Sequence, residues 1–145
     1  MNLRIISPFL KFLTGGNILA ITLFPFGIYF KNDYYLNNPE TLNHEKIHWK
    51  QQLTMFIAGI IISVITGVIF LLSGISTWWL IPLILFPFLF FYLWYIIEWF
   101  IKIFFYGKRA YMNISFERES YVNDSNLNYL KTQKCFSWIK YIFKH

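Results

Sequence analysis

Charged side chains are scarce in this chain. Only 14% of its 145 residues are Asp, Glu, Lys or Arg, against about 25% in soluble domains. Cysteine is almost missing: the single Cys135 excludes an internal disulfide and leaves no thiolate cluster for a metal. Histidine occurs only three times. A cleaved leader is not expected either, because Pro8 and Lys11 interrupt the apolar stretch 3–13 and no small-residue cleavage site follows. An interfacial segment is the expectation there.

Apolar residues are what the chain has, at 57% hydrophobic and 23% aromatic. That composition predicts a mainly α integral membrane protein, one membrane-embedded domain over residues 1–145. The net charge is +6. Its basic residues flank the apolar runs rather than cluster on a polar domain, so anionic membrane lipid is the expected counterpart and nucleic acid is not.

Two uncharged runs carry the architecture. Residues 55–72 contain no charged side chain, and at 1.5 Å per residue they span about 27 Å, one hydrocarbon thickness. Residues 78–97 form the second run, with Pro82 and Pro87 expected to kink it, and residues 78–106 make the second transmembrane helix. Between the runs, residues 73–77 are a short turn without charge, while all 13 Lys and Arg lie on the other side of the hairpin. The positive-inside rule then places both termini in the cytoplasm and the protein in the inner membrane as a multi-pass chain. Gly59, Ser63 and Gly67 form a row of small residues that lets the two helices approach closely.

The flanks are less regular. In the interfacial or extended segment 3–37, Gly15-Gly16-Asn17 signals a turn, and residues 18–30 read either as a short β element, confined to a sheet edge by Pro25, or as a membrane-embedded segment. Residues 31–38 read as a loop. Asn38-Pro39-Glu40 is a helix start, with Asn38 as cap, Pro39 in the first turn and Glu40 at the positive end. Residues 38–72 are expected as one helix. Residues 108–130 read as a helix outside the bilayer with a break near Asn123-Asp124-Ser125, and residues 131–145 as an amphipathic tail on the anionic surface.

That helix start carries His44-Glu45-Lys46-Ile47-His48, an H-E-x-x-H pattern. Residues four apart share a helix face, so both imidazoles can reach one ion, while Glu45 sits beside them as a candidate general base. From His48 to the apolar run at Met55 is about 10 Å, which puts the pair near the headgroup level. Gln52, one turn on from His48, is a candidate to orient it.

A catalytic zinc site needs a third protein ligand and one open position. His145 is the last residue and is not expected to supply it, which leaves carboxylates. Glu98 is one candidate, since a lone acid at the end of a spanning helix is functional by default. Counted outward from the turn at Ile75 it falls at the depth of Gln52, as a ligand or as a partner of His48. Pairing with Lys102 is its structural alternative.

Glu117 is the other candidate, in Ile114-Ser115-Phe116-Glu117-Arg118-Glu119-Ser120-Tyr121. Here the chain resembles a family. H-E-x-x-H followed by E-x-x-[A/S]-x on a later helix is similar to the gluzincin metallopeptidases, most closely to membrane-embedded peptidases of the CaaX-protease type in minimal form. The resemblance implies Zn2+ held by His44, His48 and Glu117, with Ser120 in the small-residue position. It implies peptide-bond hydrolysis by a zinc-activated water with Glu45 as general base. Tyr121 stands where those families have Asp or Asn. Glu119 is an alternative ligand or an orienting group. Tyr111 and Tyr121 are candidate donors to the oxyanion, and the stretch 21–30 is a candidate edge for β-addition of a peptide or membrane-protein substrate. A homo-oligomer would be one way to enclose such a site. The competing readings are a non-enzymatic membrane protein or assembly factor with a structural metal, and a membrane metal-dependent oxidase or hydroxylase. The latter needs two E-x-x-H pairs, and the chain has one, Glu45 with His48.

Overall fold

A computed structural model describes residues 1–7 and 18–143 of the chain. The elements run β1 (Leu3–Ile5), β2 (Ala20–Leu23), β3 (Gly27–Phe30), α1 (Asp33–Asn37), α2 (Pro39–Leu72), α3 (Leu80–Tyr106), α4 (Ser115–Asn123) and α5 (Tyr129–Thr132). Single 3-10 turns at Thr77–Trp79, Gly107–Arg109, Tyr111–Asn113 and Ser137–Tyr141 join or follow the helices. Two of these helices, α2 and α3, are long and apolar enough to cross a membrane.

The chain enters α2 through Asn38, whose side chain accepts from Thr41 N at 2.9 Å. Proline at the first helical position gives up only an N–H that has no partner in the helix. α2 then runs for 34 residues, with an abrupt change of surface. Its first half buries Asn43, Glu45, Ile47, His48, Gln51 and Gln52, whereas its most apolar window is only 17% buried. α3 returns antiparallel along it. A Cβ at Gly59 would lie 2.7 Å from Pro87 Cα, so the helices touch backbone to backbone there. Gly67, farther along the row, is looser and faces Leu80 and Leu83.

Where α4 and the tail dock on the base of this hairpin, an aromatic core forms from Met55, Phe91, Ile114, Phe116 and Trp138. The Phe116 ring lies 4.5 Å from both Phe91 and Trp138. α4 has no capping side chain of its own. Glu98 of α3 replaces it: its carboxylate accepts from Ser115 N at 2.8 Å and from Ser115 Oγ at 2.6 Å. That places a negative charge on the positive helix end and fixes where α4 begins. Lys50 of α2 similarly caps α5, donating to the carbonyls of Leu130 and Gln133.

Several expectations for the flanks need correction. Residues 18–30 form two strands rather than one. Pro25 lies in the turn between them, where its missing N–H costs no ladder bond. Leu3–Ile5 are extended and form the third strand of that sheet, in the order β1-β3-β2, with β1 parallel and β2 antiparallel to β3. Gly27 is required, since at φ 147° a Cβ would meet the Asn2 carbonyl oxygen at 2.5 Å. The loop expected at 31–38 contains α1, capped by Asn32 on Tyr35 N.

The helix expected over 108–130 is broken into two 3-10 turns, α4 and α5. The described part of the tail forms a 3-10 turn rather than an amphipathic helix; it buries Trp138 and Tyr141 against α4 and leaves Phe136, Ile139 and Phe143 exposed. Pro82 sits in the first turn of α3, leaving Pro87 as the interior proline. Pro8, Lys11, the Gly15-Gly16-Asn17 signal and His145 lie outside the described residues.

Candidate metal centre

His44 and His48 occupy successive turns of α2 and turn their Nε2 atoms toward each other at 3.1 Å. Glu117, in the first turn of α4, closes on both: Oε2 lies 3.6 Å from His44 Nε2 and Oε1 lies 3.4 Å from His48 Nε2. The three residues form a group that could hold a metal ion, His44 half-buried and His48 and Glu117 buried. Four-coordinate zinc bonds of 2.0–2.1 Å imply ligand atoms ~3.3 Å apart; the imidazole nitrogens lie 3.1 Å apart, and each has a different Glu117 oxygen at 3.4 or 3.6 Å. Glu117 Oε2 is buried without a hydrogen-bond partner, an arrangement that a cation would satisfy. Burial alone would lift the Glu117 carboxyl, but the imidazoles, His48 foremost, hold it well below the usual carboxylate range.

The tautomer of His48 follows from its neighbours. His48 Nδ1 lies 2.8 Å from Gln51 Oε1. Gln51 Nε2 donates to Glu119 Oε2 at 2.9 Å and to the Phe116 carbonyl at 3.1 Å. With its amide nitrogen committed to two acceptors, Gln51 presents only oxygen to the ring. Nδ1 therefore carries a proton, and Nε2, the atom turned to Glu117, is the one left to bind an ion. Glu119 is fully buried and also accepts from Tyr129 Oη at 2.7 Å, from Gln133 Nε2 at 3.0 Å and from Ser137 Oγ. It is an orienting group one step behind His48 and does not belong to the three-residue group. His44 has a different neighbour: Asp124 Oδ2 lies 3.7 Å from its Nδ1, and the Tyr121 ring packs on it edge-on at 4.7 Å. The carboxylate beside His44 thus comes from just past the end of α4.

Glu45 faces the same cleft. Its Oε2 accepts from Thr22 Oγ1 at 2.6 Å, which ties the side chain to β2. The cleft has a volume of about 640 Å³ and runs between β2 and the His44, His48 and Glu117 side chains. Tyr95 of α3 donates to Glu117 Oε1 at 2.9 Å. Tyr111 and Tyr121 line the cleft as well, and burial, with the Glu117 charge second, raises both hydroxyls above the ordinary tyrosine value, so they remain proton donors at neutral pH.

Two candidates lie elsewhere. Glu98 does not reach the histidines; it is spent on capping α4 and stands 3.9 Å from Lys102 Nζ. Tyr92, six residues earlier on α3, is what meets Gln52, at 3.4 Å. The hairpin turns back at Ser73, and Thr77–Trp79 already belong to its second arm, so counting from Ile75 misplaced the depth. Gln52 does not orient His48 either. Its carboxamide accepts from Phe24 N at 2.8 Å and donates to the Thr22 carbonyl at 3.0 Å, holding β2 against α2.

Gln51, Thr22, Tyr95 and Asp124 were not singled out in the sequence. Gln51 alone had a local signal, its spacing of three from His48. The others arrive through tertiary contacts. No family model, no curated protein and no solved structure matches this chain.

Proposed function

We propose that this protein is an integral-membrane zinc metallopeptidase with its site near the cytoplasmic headgroup level. The observation that supports the reading most is the approach of two imidazole nitrogens and one carboxylate to within 3.1–3.6 Å, with a buried Glu117 oxygen left unpartnered. His44, His48 and Glu117 would hold the ion. A bound zinc ion supplies Lewis acidity toward a peptide carbonyl and makes water acidic enough to lose a proton near neutral pH. Glu45 is the base that takes that proton and returns it to the leaving amine. Thr22 keeps its carboxylate turned into the cleft. Tyr95, Tyr111 and Tyr121 offer hydroxyl donors to the developing oxyanion. β2 presents a strand edge along the cleft, suited to an extended peptide or an unwound membrane-protein segment. The uncharged turn and the basic opposite end of the hairpin favour cytoplasmic termini and contact with anionic lipid.

A structural metal in a non-enzymatic membrane protein is the second reading, favoured by one contact: the Glu45 carboxylate already anchors β2. Metal analysis of the purified full chain tests the ion, and loss of cleavage in Glu45→Gln separates the peptidase from a structural site. One zinc per chain is expected, and two irons or no metal would overturn the proposal. Glu45→Gln should retain the zinc and lose cleavage of an added peptide pool; cleavage that survives removes Glu45 as the base.

A further inference from the structure

β2 is the outer strand of the sheet, and among the described residues only one of its edges pairs with another strand. Leu19 O accepts from Lys31 N and Leu23 O accepts from Phe26 N, so the odd-numbered residues turn their backbone groups toward β3. Ala20, Thr22 and Phe24 therefore turn theirs outward, and Ala20 and Thr22 line the cleft together with His44, His48 and Glu117.

Part of that outer edge is already closed. The Gln52 carboxamide donates to the Thr22 carbonyl and accepts from Phe24 N–H. A residue of a parallel neighbouring strand makes the same two bonds, to the carbonyl of one residue and the N–H of the residue two farther on. The next pairing position consists of Ala20 C=O and Thr22 N–H. Among the described residues nothing bonds to either on that side. Thr22 also reaches Glu45 through its side chain, so a backbone paired in this position lies beside the base.

We infer that Gln52 acts as a strand stop: the cleft takes an extended peptide backbone at Ala20 C=O and Thr22 N–H, and Gln52 prevents pairing from continuing to Phe24. This rests on the peptidase reading and adds where the bound chain must leave the strand. The bound chain follows β2 toward Ile18 and is released from the edge at Thr22, next to His44, His48 and Glu117. Gln52 is a positioning residue and contacts neither the ion nor the reacting atoms.

Amide hydrogen exchange on the full chain in detergent micelles, resolved at Thr22 and Phe24, tests it. In the free protein Phe24 should exchange slowly and Thr22 fast. A pool of short casein peptides should slow Thr22 about tenfold and leave Phe24 unchanged. Gln52→Ala should speed Phe24 about tenfold, and the peptide pool should then slow Phe24 too. Gln52→Glu keeps the acceptor for Phe24 and should preserve its protection, which guards against a misfolded alanine variant. A Thr22 amide already slow without peptide, or not slowed by it, overturns the inference. If the wild type cleaves the pool and Gln52→Ala leaves the cleavage positions unchanged, the strand stop fails and the peptidase reading stands. If Thr22 is protected and nothing is cleaved, the peptidase reading fails and the pairing position stands.

Discussion

The two halves of α2 are one continuous helix with opposite surfaces. In the half that begins at Pro39, polar side chains point inward and each has a partner: Asn43 on the Asn123 and Asp124 carbonyls, Glu45 on Thr22, Gln51 on Glu119, Gln52 on β2. In the half that ends at Leu72, Ile61, Val64, Ile65, Val68 and Leu72 point outward with half or more of their surface exposed. Water would penalise that second surface at roughly 25 cal/mol per Å², whereas lipid would not. The contrast teaches that cohesion has a different source in each half. The polar half is held by saturated hydrogen bonding around buried acids, and the apolar half by close backbone contact at small residues.

The largest way to break the comparison is at Glu119. Glu119→Ala leaves Gln51, Tyr129, Gln133 and Ser137 without their common acceptor. It should cost at least about 1–3 kcal/mol, the range for one buried donor left unsatisfied, with four such donors affected, read as a fall in thermal unfolding temperature in detergent. The corresponding test in the apolar half is Gly59→Leu. With Pro87 Cα only 2.7 Å from the first added carbon, the helices must part. About 1–3 kcal/mol is expected, with zinc binding by the folded fraction retained. Gln51→Ala sharpens the contrast from the other side: losing the carboxamide that fixes His48 should weaken zinc binding about 10–100-fold by competition titration. The smallest effect belongs to Gly67→Ala. A Cβ there meets Leu80 and Leu83 at 3.7 and 3.8 Å, ordinary contact, so unfolding should shift by less than about 0.5 kcal/mol. A large loss at Gly67 would mean that close approach extends along the whole row.

Legibility in the sequence followed the range of the interaction. The Asn38 cap, the four-residue spacing of the histidines and the two apolar runs depend on neighbours within a turn or two, and each can be read from a short window. Gln51 shows how near the limit lies. Two adjacent glutamines follow His48, and the one placed on its face by angle, Gln52, belongs to β2, while Gln51 bends back to the ring. The buried side chains of the tail were illegible for another reason. Alternating basic and aromatic residues fit a lipid surface as well as a core edge, and only the position of Phe116 gives Trp138 somewhere to go.

By itself the sequence determined the helical hairpin and the paired imidazoles, because helix periodicity and run length are properties of contiguous residues. The tertiary structure alone decided among Glu98, Glu117 and Glu119. All three are buried acids in the same stretch of chain. One caps a helix, one faces the histidines and one gathers four donors. That division depends on where the hairpin turns back and where α4 docks against it. Both are set by contacts between residues far apart in the chain, which no spacing along the chain encodes.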